Sequence, residues 1–478
     1  MKPSRPLAID LDGTVTFTDT LLEATLKLLI KRPIDIFKLP YWLSKGKARF
    51  KNIVAQKVEI NYKLLPYNHN LIEYLEKQKR AGRKLILCTA ANSSIANKIA
   101  KYLGIFDEIM ASDEVTNLSG TSKAKALKAR FGNEGYDYAG NSTDDLAAWK
   151  FAKKAIVVNA SSSVKKKVEK ICEVEKVFAG PKQDITTLIK ALRIHQWIKN
   201  ILLFFPFFAA HQFLSIELWS SLIIAFLAFS LCASSVYIIN DLFDLESDRQ
   251  HSRKKTRPFA SGQLTIFTGF ILAPILLVSG FILASFVDGS FLPWLAFYFF
   301  LTCAYTWFFK RITLLDCIVL AILYTLRVIS GAAAIDMSLS FWILAFSFFL
   351  FLSLAFIKRY TELQNELLSM KQKINGRDYF ASDAIVIQIF GITSGYIACL
   401  VLVLYLNSEA ILALYSFPEA IWAGIAIVVF WISRIWLCSH RGEMHDDPIV
   451  FALKDRPSLL SGALFCLVFY IGIVGPLW

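Results

Sequence analysis

From about residue 197 to its end the chain is a succession of apolar runs, each near the roughly 20 residues an α-helix needs to cross the hydrocarbon core of a bilayer. No other feature excludes so many folds. In hydrocarbon every backbone N–H and C=O must be satisfied internally, which restricts runs of this length to a bundle of helices. About nine spans are predicted, near 199–216, 218–239, 266–287, 292–309, 313–333, 340–358, 385–405, 412–432 and 459–477. The fifth is the least regular, because Asp316 and Arg327 fall inside it. Residues 1 to about 190 differ: they are Lys-rich, with short apolar segments separated by polar turns, the pattern of a soluble α/β domain. A chain of 478 residues is too long for one ordinary domain. The expected division is 1–180 for the α/β domain and 181–478 for an all-α membrane domain.

Loop charge predicts orientation. One set of loops carries Arg249, Arg253, Lys254, Lys255 and Arg257, then Lys310 and Arg311, then Lys358 and Arg359, then Arg441, Lys454 and Arg456. The opposite set, near 211–218, 287–293, 334–340 and 406–420, has no Lys or Arg. By the positive-inside rule the charged loops and the soluble half face the cytosol. The expectation is a multi-pass inner-membrane protein with an odd number of spans and its C-terminus outside. The N-terminal Met1-Lys-Pro-Ser-Arg-Pro6 leads into an apolar strand without a signal segment, in keeping with a cytosolic soluble half. Cytosolic loops of membrane proteins collect Lys and Arg, and no nucleic-acid-binding motif accompanies the net charge of +14, so nucleic acid is not an expected partner. The eight cysteines are scattered singly without metal spacing, which argues against zinc and structural disulfides.

In the soluble half, Leu7-Ala-Ile-Asp-Leu-Asp-Gly-Thr14 reads as a strand whose alternation points Asp10 and Asp12 the same way at its C-terminal end. That end of an open α/β sheet is where ligands bind. Further strands are expected at 84–88, 136–140 and 155–159, followed by polar turns at Thr89 and at Asn141-Ser-Thr-Asp-Asp145. This ordered set, over about residues 6 to 165, resembles the haloacid dehalogenase (HAD) superfamily. The resemblance implies a Rossmann-like domain with a helical cap, here about 18–68, and phosphatase chemistry through an aspartyl phosphate. It implies Asp10 as nucleophile, Asp12 as acid/base, Thr89 and Lys123 (or Lys125) as phosphoryl ligands, and Asp10, Asp12 and Asp145 (or Asp144) as Mg²⁺ ligands. One position departs from the family: Asn141 follows Gly140 where an Asp is usual. That leaves either an active phosphatase or a domain that only binds or regulates. The cap mixes Lys31, Arg32, Lys38, Lys45, Lys47, Arg49 and Lys51 with Phe, Leu, Tyr and Trp, which suits a bilayer surface or an ordinary solvated cap.

In the membrane half, polar clusters sit at the cytosolic ends of spans: Arg193-Ile-His-Gln-Trp-Ile-Lys-Asn200, Asn240-Asp-Leu-Phe-Asp-Leu-Glu-Ser-Asp-Arg249, and Lys358-Arg-Tyr-Thr-Glu362. As a helix the second places Asn240, Asp241, Asp244 and Asp248 on one face. Three like charges there repel, a divalent cation relieves the repulsion, and hard oxygen ligands favour Mg²⁺ bridged to phosphate. Arg249, Lys254 and Arg257 are placed to complete a diphosphate site. The last charged loop, with His445, Asp446, Asp447, Lys454 and Arg456, either closes over that site or is a solvated turn. Gly376-Arg377-Asp378-Tyr379 is a further loop placed to touch substrate.

The acidic motif and the span count resemble the UbiA family of intramembrane prenyltransferases over about residues 185 to 478. That resemblance implies a polyprenyl phosphate or diphosphate substrate and a catalytic Mg²⁺ site at Asp241, Asp244 and Asp248. The usual second acidic motif is replaced by Lys358-Arg359-Tyr360-Thr361-Glu362, which weighs against prenyl transfer to an aromatic acceptor. Gln196-Trp-x-Lys-Asn200, N-D-x-x-D-x-x-x-D-R-x-H-x-x-K-x-x-R-P and Lys-Arg-Tyr-x-Glu-Leu are similar to the decaprenyl-phosphate phosphoribosyltransferase subgroup. The subgroup implies transfer from 5-phosphoribosyl diphosphate to a polyprenyl phosphate, with Lys199, Asn200, Lys358, Arg359 and Glu362 at the substrates. The fused phosphatase would then remove the 5-phosphate of the product. Two alternatives stand beside this: ordinary prenyl transfer to a small acceptor, and a lipid transporter or lipid-binding protein with a regulatory HAD domain.

Overall fold

The computed structural model describes residues 5–181, 184–209, 215–251, 253–287, 289–368, 378–407, 415–444 and 447–475. The chain forms two compact units, one of residues 1–193 with 237–274, the other of 194–236 with 275–478.

The first unit is built on a parallel sheet of β1 (Leu7–Ile9), β2 (Leu85–Asn92), β3 (Glu108–Ser112), β4 (Asp137–Gly140), β5 (Lys154–Val158) and β6 (Glu173–Phe178), in the order β3-β2-β1-β4-β5-β6. Period-two alternation divides its side chains between two cores. Leu7, Ile9, Leu85, Leu87 and Ile156 pack on one face, and Ala8, Cys88, Tyr138, Ala155 and Val157 on the other. The strand order reverses between β1 and β4, so the crevice beyond their C-terminal ends is the ligand position of such a sheet. Asp10 follows β1 and Asn141 follows β4.

Four of these strands match the predicted ones. β3 and β6 were not expected: Glu108-Ile-Met-Ala-Ser and Glu173-Val-Glu-Lys-Val-Phe are edge strands, part-exposed and without an uninterrupted apolar run. Thr89 lies inside β2, which runs on to Asn92, and not in a turn after it.

The cap consists of helices Thr20–Lys31, Leu39–Ser44 and Lys47–Lys57 with a 3₁₀ turn at Pro33–Lys38. Asp19 caps the first by accepting from the N–H groups of Leu21 and Leu22. Ile34, Phe37 and Tyr41 are exposed on the cap, Phe37 by 84%.

Among the described residues seven helices are long and apolar enough to cross a membrane: Ile216–Phe243, Ile266–Ala284, Leu315–Ala334, Phe341–Asn365, Ala381–Leu406, Glu419–His440 and Arg456–Val474. Phe291–Trp307 is a shorter apolar helix. The predicted first span instead begins as a 3₁₀ stretch, Ile194–Phe204, and a short helix, Phe205–Ala209; 210–214 lie outside the described residues, and Ile216 already begins the next helix. Pro206 and the side-chain hydrogen bonds of Asn200 interrupt that apolar run.

The span predicted at 412–432 lies further along, because Pro418 starts the helix and Arg434, just past the predicted end, is paired with Asp455 at 2.5 Å and 3.0 Å. The fifth predicted span is a helix and the most buried of the seven, its polar residues being satisfied inside the bundle. Arg327 donates to Asn200 (3.0 Å), Leu323 O (2.6 Å) and Tyr298 (3.1 Å), and Asp316 accepts from Tyr379 (2.6 Å) and pairs with Arg359 (2.5 Å). Gly331 of this helix lies so close to the carbonyl of Leu203 that a Cβ would sit 2.0 Å from its oxygen, the close backbone approach small residues permit between membrane helices.

Candidate active site

The first cluster forms at the switch point of the sheet. Lys123, from helix Gly120–Phe131, is almost fully buried and donates to Asp10 (2.9 Å), Tyr138 (2.9 Å) and Asp145 (3.2 Å). Lys125 is exposed on the same helix, two residues and half a turn away. Burial pushes the Asp10 carboxyl up to about 6 against the pull of Lys123. Burial, with Asp19 and Asp10 nearby, pushes Asp12 up to about 8, so at neutral pH it holds a proton, as a general acid must. Asp12 is held by the N–H of Thr20, the first residue of the cap helix, at 2.9 Å.

Asp145 is fully engaged. One carboxylate oxygen accepts from Lys123 and from Tyr138 at 2.6 Å. The other accepts from the N–H groups of Asn141 and Ser142, both 3.1 Å, and from the Ser142 hydroxyl, 3.0 Å. Five donors fill the four lone-pair positions of a carboxylate, and Asp145 in this arrangement orients the Lys123 ammonium. Burial alone would raise the Asp145 carboxyl, but Lys123 and Tyr138 hold it below the usual range. The rival Asp144 is exposed. Asn141 packs on Gly13, where a Cβ would lie 2.0 Å from its side-chain nitrogen; Gly13 has φ +74°, so this turn needs glycine twice over. Thr89 is buried, its hydroxyl accepting from Ala91 N–H at 3.0 Å.

Sequence reasoning did not single out Tyr138, whose inward position follows only from the register of β4. Nor did it separate Lys51 from the other cap cations. Lys51 donates to Ala90 O (2.7 Å) and Asn117 (2.9 Å), and Asp12, Asp19 and Asp10 all act on its charge, though burial dominates and lowers its affinity for a proton.

The second cluster, in the same unit, is the acidic motif. It is helical but not one helix: Ile216–Phe243 ends, Asp244 stands at the joint, and Leu245–Gln250 follows. The backbone bonds Asp244 N–Asn240 O (2.9 Å) and Asp248 N–Asp244 O (2.8 Å) carry the helical spacing across the joint. Asp241 and Asp248 are each 2% exposed and share one nitrogen of Arg257, at 3.1 Å and 2.6 Å; Arg193 also pairs with Asp241. Burial raises the Asp248 carboxyl despite Arg257.

Two carboxylates converging on one cationic atom are a donor set that fits a divalent cation, with Arg257 the positive charge that now holds them together. Among the described residues no three His, Cys, Asp or Glu side chains converge on a point. The residues that would hold Mg²⁺ are thus Asp10 in the first cluster and Asp241 with Asp248 in the second. Water and phosphate oxygens would make up the remainder, as is usual for this ion.

Arg249, expected at a diphosphate, makes a different bond. Its guanidinium forks onto Glu23 of the cap helix (2.6 Å and 3.2 Å) and reaches Ala260 O (3.0 Å), with Glu23 also accepting from Thr18 at 2.8 Å. Lys27, one turn on, pairs with Glu246 at 2.6 Å. Both side chains of the Arg249–Glu23 pair are nearly inaccessible, 6% and 7%. Arg249→Met is therefore expected to destabilise by about 3–5 kcal/mol by leaving a buried charge uncompensated, whereas Arg249→Met with Glu23→Met recovers most of it. The thermal unfolding midpoints of the two variants check this; an equal loss in both would show that the pair is not coupled.

In the second unit, Lys199 and Lys358 converge on Asp447, at 2.7 Å and 3.5 Å. Arg359 is fully buried and pairs with Asp316 and Glu362, the surroundings of an internal ion pair. Asn200, likewise buried, holds Ser230 and Arg327. Lys254 belongs to the 3₁₀ turn Lys254–Thr256, one residue short of Pro258 after Arg257. Gly376, Arg377, His445 and Asp446 lie outside the described residues. The described cysteines are all free thiols.

Comparison with known proteins adds the lineage. The description "UbiA prenyltransferase family" matches residues 201–454. The chain belongs to the UbiA prenyltransferase family. In front of that region, residues 7–150 match "haloacid dehalogenase-like hydrolase", so this UbiA-family enzyme is an integral membrane protein fused to a HAD-like domain. The protein y4nM of Sinorhizobium fredii is 35% identical over 98% of this chain and 91% of its own length, so it spans both regions. The decaprenyl-phosphate phosphoribosyltransferase of Mycolicibacterium smegmatis is 30% identical over 59% of this chain and 91% of its own length. A UbiA homolog from Archaeoglobus fulgidus bound to GPP and Mg²⁺ covers 60% of this UbiA-family chain and all of its own, with a TM-score of 0.46 at 14% identity.

Proposed function

We propose that the membrane domain transfers phosphoribose from 5-phosphoribosyl diphosphate to a polyprenyl phosphate, releasing diphosphate, and that the HAD-like domain then removes the 5-phosphate from the lipid product. The carrying observation is the pair Lys199 and Lys358, basic and converging on one carboxylate, where the usual family pattern has a second acidic motif. An acidic motif there would suit a second metal on a prenyl diphosphate; two lysines suit the phosphate of a lipid monophosphate. The 30% identity to the mycobacterial phosphoribosyltransferase, over nearly all of that protein, supports the same choice.

Mg²⁺ held by Asp241 and Asp248, with Asp244 between them, would neutralise the diphosphate as it leaves. Arg257, which pairs with those carboxylates, would then be free to face the phosphates. Ribose C1 becomes cation-like as the diphosphate departs, and the lipid phosphate oxygen bonds to it. In the HAD-like domain Asp10 attacks the 5-phosphate, Lys123 neutralises the charge that builds on its oxygens, and Asp12 donates its proton to the leaving hydroxyl. Water then cleaves the aspartyl phosphate and phosphate leaves. Both sites are proposed to face the cytosol at an inner membrane, with the C-terminus outside, which the clustering of Lys and Arg in one set of loops supports.

The mass of the lipid formed tests the reading. Purified protein given a polyprenyl phosphate, phosphoribosyl diphosphate and Mg²⁺ is expected to yield a lipid heavier by a phosphoribosyl or ribosyl group. Consumption of a prenyl diphosphate with no requirement for phosphoribosyl diphosphate would overturn it.

A further inference from the structure

Asp447 is a carboxylate in the place of an anion. One of its oxygens takes the ammonium of Lys199 at 2.7 Å, the ammonium of Lys358 at 3.5 Å and the hydroxyl of Tyr324 at 3.4 Å. These three donors come from separate segments, the 3₁₀ stretch Ile194–Phe204 and the helices Phe341–Leu368 and Leu315–Ala334. Lys199 also lies over the Tyr324 ring, 5.8 Å from its centre. The side chains of Lys199 and Asp447 are 8% and 10% exposed and that of Lys358 is 35% exposed, so one buried negative charge stands between two positive ones, of which Lys199 is desolvated. A phosphomonoester carries close to two negative charges at neutral pH and three acceptor oxygens, which matches two ammonium groups and a phenol better than one carboxylate does.

Beside this cluster lies an apolar cavity of about 300 Å³. Ile198 precedes Lys199, Leu354 is one turn before Lys358, Phe351 stacks on Tyr324 at 5.3 Å between ring centres, and Ile449 is two residues after Asp447; all four line the cavity. Ala452 and Leu453 line it too, at the end of the helix Pro448–Ala452 that Asp447 caps through Ile449 N–H at 3.2 Å. The carboxylate and part of the apolar wall are thus one piece of chain.

We propose that Lys199, Lys358 and Tyr324 form the headgroup site for a lipid phosphomonoester whose chain enters this cavity, and that Asp447 is an internal surrogate for the phosphate, displaced when the lipid binds. The proposal rests on the phosphoribosyl-transfer reading for the lipid's identity as a monophosphate, and it names where that lipid is held. Asp447 gives the headgroup site an occupant when no lipid is present and so keeps buried Lys199 and half-buried Lys358 from repelling one another. Its cost is competition: every lipid phosphate that binds must first release Asp447.

Direct binding of radiolabelled farnesyl phosphate to the full-length protein in lipid nanodiscs, without phosphoribosyl diphosphate or Mg²⁺, tests this. Lys199→Met and Lys358→Met are each expected to weaken binding roughly tenfold or more, the loss of one charge-assisted hydrogen bond. Asp447→Asn, nearly isosteric, is expected to tighten it by removing the competing charge. On the wild-type protein, unlabelled farnesyl phosphate should displace the label while farnesol and ribose 5-phosphate do not, a result that needs no variant to fold.

Weaker binding in Asp447→Asn, lysine variants that bind as the wild type does, or displacement by ribose 5-phosphate would each overturn the proposal. The last would assign the site to a soluble phosphate. Because no donor is present, the two readings fail separately. The expected binding pattern without any ribosyl transfer sinks the proposed reaction alone, and ribosyl transfer with binding indifferent to these residues sinks the headgroup site alone.

Discussion

Replacing Asp244 and Asp248 together by Asn is expected to lower turnover of the membrane domain at least about a thousandfold, the scale of losing the groups that hold a catalytic metal at a departing diphosphate. The two residues sit on successive turns across the joint between Ile216–Phe243 and Leu245–Gln250, Asp244 N–H bonding to Asn240 O and Asp248 N–H to Asp244 O. Asn keeps the shape and the helical bonds but removes two charges, and with them the pull of Asp248 on Arg257, now 2.6 Å long. Chelation of divalent cations from the wild-type protein is expected to reproduce the same loss, and added Mg²⁺ to restore it only in the wild type. Label transferred to lipid per unit time is the measurement, with the unfolding midpoint as a control for integrity. Turnover within tenfold of wild type in a folded double variant would remove these carboxylates from the chemistry.

Asp10→Asn carries the second large effect. Deleting a covalent nucleophile commonly costs several powers of ten, so phosphate release by the HAD-like domain is expected to fall by about 10⁴ or more. Lys123 would keep Asp145 at 3.2 Å and Tyr138 at 2.9 Å, so the buried ammonium retains a carboxylate and the domain keeps its fold. In the coupled reaction the lipid product should then accumulate with one more phosphoryl group than the wild type leaves on it. The same product from both proteins, phosphorylated in each, would show that the HAD-like domain does not act on this lipid. The outcome also bears on Asn141. Its backbone N–H, with that of Ser142, holds Asp145 in its role beside Lys123, and that contribution does not depend on a carboxylate at position 141.

How far these sites can be read from the sequence varies with the kind of interaction. Asp10 and Asp12 are legible because a strand has period two and the sheet's ligand end is general to the fold. Asn240, Asp241, Asp244 and Asp248 are legible because helical spacing survives the break at Asp244. The strands β1, β2, β4 and β5 are buried apolar runs, whereas β3 and β6 lie at the edges, where half of each strand meets solvent and the apolar signal is diluted. The spans follow hydropathy except where charge or proline intervenes. Arg434 does not end its helix, because Asp455 neutralises it, and the stretch after Ile194 winds as a 3₁₀ helix.

The sequence by itself determined the two architectures, the bias of Lys and Arg to one set of loops, and which acidic residues share a face, because each of these is a local regularity of spacing or composition. Which cation meets which anion was decided only by the tertiary structure. Arg249 finds Glu23 226 residues away, and Lys199 finds Asp447 248 residues away. Nothing in the local pattern distinguishes Arg249 from Arg257, or Lys358 from the neighbouring Arg359. Folding does, because a buried charge is stable only beside an opposite one, and the chain's path settles which is within reach.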